Sequence, residues 1–369
     1  MKSHGSLANH TSAWGLANSI TIQMTLRAAI ELNVFNIIAK SGRGAHLTSK
    51  EIVSQIPNTN PTLAGENLER MLKLLSVHSL LSTSLKPNPI DKTKQETSYG
   101  LTEEALCLVP NEDGVSFVPM VLWGSEMLVL NSYSMLKYTV LEPESSPFLK
   151  AHGETMYEYM SDRPELCQLF DKVMGVNSYL YFDDKVFEVY KGFEEVKELM
   201  DVGGGDGTVI AKIVSQYPHI RGINFNLPSV ISQAPNLQGV EHVSGDMLES
   251  IPKTESVMLM LILHNWDDEN CKKILRNCWE AIPDYGKVIA VEHYVMPELV
   301  DENNRDLKRI LYIDIAMMAL CPGGKERTTA EFDALAKSVG FVGTKIFPLP
   351  HGSYVIEFLK GGSLEAIVE

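Results

Sequence analysis

The sequence predicts an α/β protein in two parts. Residues 1–115 read as a mainly helical, winged-helix-like module, and residues 116–369 as a doubly wound, mostly parallel sheet whose last strand runs antiparallel. Three observations predict it. Past residue 195, short Val- and Ile-rich runs alternate with helix-length segments, the pattern of a parallel sheet covered on both faces. A turn holding Gly203, Gly204, Gly205 and Gly207 joins the first of those runs to a helical pattern. Ahead of them, two helical periodicities precede two strand-like runs around a polar loop.

From the N-terminus, residues 18–38 place Ile22, Leu26, Ala29 and Ile30 on one helical face, in a stretch more apolar than a lone surface helix needs. A second subunit or domain is expected against it. In "LTSKEI", Thr48 and Glu51 form a capping box flanked by Leu47 and Ile52, so a helix starts there. Leu68, Met71, Leu72 and Leu75 mark the next helix, and "HSLLSTSLKPNPIDKTKQETSYGLT" reads as strand, loop and returning strand. Residues 110–195 read as mostly helical, interrupted at "LEPESSP". The strands that follow are "KELMDVG", "RGINFNL", "VEHV", "SVMLMLIL" and "KVIAVE", then "GTKIFPL" and "SYVIEFL" close together; that short last connection predicts the antiparallel strand.

Composition excludes several functions. A formal net charge of −15 argues against a polyanionic partner. The winged-helix region itself, residues 47–105, holds six basic and seven acidic side chains, too few cations for phosphate contacts. No run of about 18 apolar residues spans a membrane. The start, "MKSHGSLANH", lacks a secretory pattern, and the five cysteines include no CxxC pair; a cytoplasmic protein without disulfides or metal is expected.

Glycines at a strand-to-helix turn let a backbone approach a ligand closely. A dinucleotide fold would want G-x-G-x-x-G, with glycine where Thr208 stands, so an NAD-dependent oxidoreductase fails on the spacing. A GxGxG loop with a polar residue about 20 positions on, at the end of the second strand, suits an adenosyl ligand lacking phosphates, with S-adenosylmethionine the foremost candidate.

"DVGGGDG", "GINFNLP", "GVEHVSGDM", "LHNWDDENC", "GKVIAVE" and "PGGKERT", in this order and spacing, resemble the plant small-molecule O-methyltransferases of the caffeic acid, flavonoid and alkaloid type. "NPTLAGENLERMLKLL" and "YGLTEEA" extend the resemblance over nearly the whole chain. It implies a Rossmann-like class I methyltransferase sheet, a homodimer made through the N-terminal module, S-adenosyl-L-methionine as donor (leaving S-adenosyl-L-homocysteine) and no metal. It assigns the cofactor to Ser178, Gly203, Gly205, Asn226, Leu227, Asp246, Met247 and Met260.

His264 closes the apolar run "SVMLMLIL", at the strand end where open α/β sheets bind ligands. A phenol with pKa near 10 needs a base as it attacks a methyl sulfonium, and neutral imidazole suits that task near pH 7. Alone, such a histidine reads first as a satisfied polar turn residue; the resemblance makes it the general base. The resemblance also places Glu292, which ends "KVIAVE", and Glu326, after "CPGGK", beside it to orient it. Asp267 and Asp268 read as acids at a helix N-terminus, structural rather than catalytic.

Three positions depart from the family pattern. Asn226 stands where an acid usually grips the ribose, Met260 replaces a common lysine, and Asn265 follows the histidine where an acid is frequent. Trp123, Met127, Met160, Phe170, Met174, Asn177, Met317 and Cys321 fall where the family lines its acceptor pocket. Met160 and Asn177 stand where caffeic-acid-type enzymes often have histidines, which predicts a bulkier, less polar acceptor. Lignans, benzylisoquinoline-type alkaloids, flavonoids and phenylpropanoids all stay open, and the rival reading is a degenerate homologue that binds with little turnover.

Overall fold

The computed structural model describes residues 11–89, 91–299, 306–349 and 352–361. The chain separates into two compact units, Met1–Met127 and Leu128–Glu369.

In the first unit, helix Ser19–Glu31 stops where Asn33 takes a left-handed φ of 61°, a conformation asparagine tolerates, and Val34–Lys40 follows. The residue 18–38 pattern is therefore two helices. The Thr48–Glu51 capping box forms in both directions and opens helix Ser49–Val53. Helix Pro61–Val77 starts with proline in its first turn and the Asn60 side chain accepting from the Leu63 N–H. Strands β1 (Leu47–Thr48), β2 (Leu81–Pro87) and β3 (Gln95–Leu101) pair antiparallel in the order β1-β3-β2. Leu68, Leu72 and Leu75 pack with Phe35, Ile38, Ile52 and Tyr99 into this unit's core. Trp14 and Leu16 of helix Thr11–Ala17 and Ile20 and Met24 of helix Ser19–Glu31 stay exposed.

The second unit is built on β4 (Glu198–Val202), β5 (Arg221–Asn226), β6 (Val240–Ser244), β7 (Ser256–Met260), β8 (Lys287–Glu292), β9 (Gly343–Pro348) and β10 (Tyr354–Leu359). The sheet order is β6-β5-β4-β7-β8-β10-β9. The first five are parallel, and β10 lies antiparallel between β8 and β9, as the short connection predicts. Both faces are covered. Val257, Leu259, Val288 and Ala290 pack under helices Asp268–Ala281 and Thr329–Val339, through Ile274, Leu275, Phe332 and Leu335. Met258, Ile289 and Val291 face the other way, onto Val186, Phe187, Ile210 and Ile213 of helices Asp184–Val189 and Thr208–Gln216. Burial on both faces explains why β7 and β8 read as unbroken apolar runs rather than alternating ones. Each fully buried Leu, Ile or Phe in these layers contributes about 1.5–3 kcal/mol.

The "LEPESSP" break ends at Ser146, which caps helix Pro147–His152; helices Met156–Ser161 and Pro164–Tyr181 then lead to the sheet. Strand order reverses between β4 and β7, which opens a crevice at the C-terminal ends of the parallel strands.

Candidate active site

Five parallel strands deliver predicted site residues to that one edge. After β4, Gly203, Gly205 and Gly207 have φ of 78°, 59° and 88°. Gly203 donates its N–H to the Phe225 carbonyl at 2.8 Å, and a Cβ there would lie 2.4 Å from Ile262 Cδ1. A Cβ on Gly205 would meet nothing within 4 Å. The left-handed backbone at Gly205 thus faces open space, a cradle beside the N-terminus of helix Thr208–Gln216. Behind it, Asn224 donates its amide to the Gly205 carbonyl at 3.0 Å and lies 3.2 Å from His242 Nδ1. Asp201, on β4 opposite Asn224, is buried with neither oxygen partnered, and burial, with Asp206 nearby, pushes its carboxyl up to about 7.

Asn226 ends β5, with Oδ1 accepting from the Leu227 N–H at 2.8 Å. Leu227 is exposed. Past β6, Asp246 accepts from the Leu248 N–H at 2.8 Å, and Asn277 holds the Met247 carbonyl at 2.7 Å. Met260 is the half-buried last residue of β7, and Ser178 comes from helix Pro164–Tyr181.

Beyond Met260 the chain turns sharply. Leu261 has φ of 53°, a left-handed conformation that costs a leucine about 1 kcal/mol or more, and a 3-10 turn over Leu263–Asn265 presents His264. His264 is buried, and its Nδ1 lies 2.9 Å from Glu326 Oε1. Glu326, buried between helices Leu307–Leu320 and Thr329–Val339, is held by its own N–H donating to Asp314 at 2.9 Å. Glu292 ends β8 on the same edge, buried with both oxygens unpartnered. Burial disfavours the imidazolium, but the charges of Glu326 and Glu292 outweigh it and raise the His264 pKa above its ordinary value. Burial pushes Glu292 itself up to about 8.

Arg327 is a positioning residue the sequence reading passed over. Its fully buried guanidinium donates to the Leu263 carbonyl at 2.7 Å, the Trp266 carbonyl at 2.8 Å and Asp268 at 2.8 Å, clasping the turn on both sides of His264. The one available signal was its place in "PGGKERT" directly after Glu326; a cation in such a turn otherwise reads as a surface ion pair. His293 was also passed over: it is buried, with both ring nitrogens unpartnered and its ring centroid 4.5 Å from that of Tyr181. Burial, then His264 and Arg309, hold it down to about 3, so it is neutral.

Phe170, Met174 and Asn177 lie at i, i+4 and i+7 on helix Pro164–Tyr181, hence on one face, with Asn177 Oδ1 buried and unpartnered. Met160 is buried in helix Met156–Ser161. Met317 belongs to helix Leu307–Leu320, and Cys321, its C-cap, points its thiol at Asn265 Oδ1 at 3.7 Å. Burial pushes that thiol up to about 12. Trp123 and Met127 belong to the first unit, Trp123 buried in helix Val118–Gly124 and Met127 exposed.

A family profile described as an O-methyltransferase domain matches residues 133–342, and one described as an O-methyltransferase dimerisation domain matches residues 14–111. The chain belongs to the O-methyltransferase family. Among curated relatives of this O-methyltransferase, (S)-scoulerine 9-O-methyltransferase of Coptis japonica is 48% identical over 352 residues, covering 95% of this chain and 90% of its own. Caffeic acid 3-O-methyltransferase of Medicago sativa is 44% identical (94% and 93% covered), and myricetin 3'-O-methyltransferase 4 of Solanum lycopersicum 46% (92% of each). Two solved structures share the fold: LaPhzM, with TM-score 0.77 and 23% identity over 94% of this chain and 98% of its own, and human N-acetylserotonin methyltransferase in complex with SAM, with TM-score 0.76 and 19% identity over 98% and 100%. The donor for the family's chemistry is S-adenosylmethionine, and the open cradle at Gly205 fits it. Among the described residues, no group of three or more His, Cys, Asp or Glu is placed to hold a metal ion, and no helix is long and apolar enough to cross a membrane.

Proposed function

We propose that this O-methyltransferase transfers the methyl group of S-adenosylmethionine to a phenolic hydroxyl of a plant aromatic natural product, with His264 as general base. The observation that carries the reading is the hydrogen bond from His264 Nδ1 to Glu326. A carboxylate on Nδ1 fixes the tautomer that keeps the proton there, so Nε2 presents its lone pair to the phenol. Bound S-adenosylmethionine supplies a methyl made electrophilic by its sulfonium. His264 takes the phenolic proton at Nε2 as the oxygen attacks, and Glu326 stabilises the imidazolium so formed, with Glu292 adding negative field whenever it is ionised.

For the donor, we assign Gly203, Gly205, Asn226, Leu227, Asp246, Met247, Met260 and Ser178. Their placement on adjacent strand ends and one helix supports this. For the acceptor, we assign Met160, Phe170, Met174, Asn177, Met317 and Cys321 of the second unit, an adaptable set of thioether, aromatic and polar side chains, and, on the family resemblance alone, Trp123 and Met127. The relatives named above act on an alkaloid, a phenylpropanoid and a flavonol; all three classes, and lignans, belong in the reading. The dimerisation profile and the exposed Trp14, Leu16, Ile20 and Met24 support a homodimer through the first unit. Five free cysteines suit the reducing cytoplasm.

The test is a mass-spectrometric screen of the purified protein with S-adenosylmethionine against scoulerine, caffeic acid, myricetin and a phenolic lignan, with His264→Ala alongside. One methyl added to an acceptor and lost in the variant is the expected result. Silence across the panel while S-adenosylhomocysteine binds would favour a homologue that has kept binding without turnover.

A further inference from the structure

Three positions ahead of His264, Leu261 sits in left-handed backbone that a bulky aliphatic residue seldom adopts. Its N–H donates to the Val291 carbonyl at 3.1 Å, which ties it to β8. Its carbonyl accepts the side-chain amide of Asn265 at 3.0 Å. Of the turn's other carbonyls, Arg327 takes those of Leu263 and Trp266, the Lys325 N–H takes that of His264 at 3.0 Å, and that of Ile262 accepts the Asn265 backbone N–H at 3.2 Å. The Asn265 Oδ1 faces the Cys321 thiol, which leaves the amide nitrogen toward Leu261. An acid, which the resemblance makes frequent at this position, has no proton to donate and would set an oxygen against that carbonyl.

We infer that Asn265 is a positioning residue for the base: its hydrogen bond to the Leu261 carbonyl holds the left-handed backbone that delivers His264 to Glu326. The catalytic consequence rests on the proposed role of His264; the assignment of the turn does not. A carbonyl released from Asn265 lets Leu261 relax toward an ordinary backbone basin, and His264, three residues on, moves with it. Glycine at the same position holds a positive φ without help.

The test is a double-substitution cycle, Asn265→Ala and Leu261→Gly singly and together, read without turnover. Backbone hydrogen exchange is followed at Leu261, Trp266 and Lys325, and the His264 imidazole is titrated by NMR in histidine-labelled protein. Asn265→Ala is expected to speed that exchange about tenfold and to bring the His264 pKa down toward its ordinary value, since the Glu326 contact is loosened. In the Leu261→Gly background the same substitution is expected to change exchange less than about threefold. Equal acceleration in both backgrounds, or none in either, would overturn the inference. Asn265→Asp, a second route should the alanine variant fold poorly, is expected to act like alanine; unaltered exchange and titration in it would equally overturn the inference. An absence of methyl transfer by the wild-type protein would sink the proposed function alone.

Discussion

His264 Nδ1 and Glu326 Oε1 meet at 2.9 Å across 62 residues of sequence, both side chains buried. Removing the imidazole should lower methyl transfer by about 10²–10⁴-fold, the range of general-base contributions, while S-adenosylhomocysteine affinity, measured by calorimetry, stays within a few-fold. Glu326→Gln keeps a hydrogen-bond acceptor and loses the charge that raises the His264 pKa. A base must be neutral to work, so the acidic limb of the pH–rate profile should move to lower pH in that variant. A limb that stays in place would separate Glu326 from the base.

Glu292 gives the protein a pH-dependent stability term. Its folded pKa of about 8 stands well above an unfolded value of about 4.3, so the folded state binds the extra proton. The corresponding stabilisation is fully present below about pH 4 and is lost as pH rises through about 8. Chemical denaturation between pH 5 and 8 should show wild-type stability falling relative to Glu292→Gln, which cannot ionise. Parallel curves would mean that Glu292 is ionised in the folded chain.

Asn226 ends β5 with its carbonyl oxygen already taken by the Leu227 N–H, so it offers a ligand an amide donor. Asn226→Asp keeps that backbone bond on one oxygen and turns the second into a charged acceptor. Charge-assisted hydrogen bonds are about twice as strong as neutral ones, so S-adenosylmethionine affinity should rise roughly fivefold, on the order of 1 kcal/mol. Isothermal titration decides this, and unchanged affinity would remove Asn226 from the ribose site.

Arg327→Met should cost on the order of 3 kcal/mol, because the Leu263 and Trp266 carbonyls and the Asp268 carboxylate lose the buried cation they share. Arg327→Lys should recover little of it, since one ammonium cannot fork to three acceptors. Urea denaturation measures the loss; a lysine variant as stable as wild type would reduce the clasp to simple charge.

The alternating pattern past residue 195, the capping box at Thr48 and Glu51, and the glycine turn after β4 were legible in the sequence because each is a local rule: a strand buried on two faces, a helix start, a positive φ. Motif order carried the family, and the same parallel topology then places Gly205, Asn226, Asp246 and His264 at one edge. Other features depend on contacts between distant segments. Nothing near Arg327 announces that it will clasp carbonyls some sixty residues upstream, and a leucine is the last residue to suggest left-handed backbone at position 261. Which nitrogen of His264 meets a carboxylate, and which of Glu292 and Glu326 reaches it, is likewise set by how the loop after helix Leu307–Leu320 packs on the end of β7. Sequence spacing fixes what a residue can do chemically and which strand end or helix it rides on; the distances and burial that shift a pKa arise only once remote segments pack together.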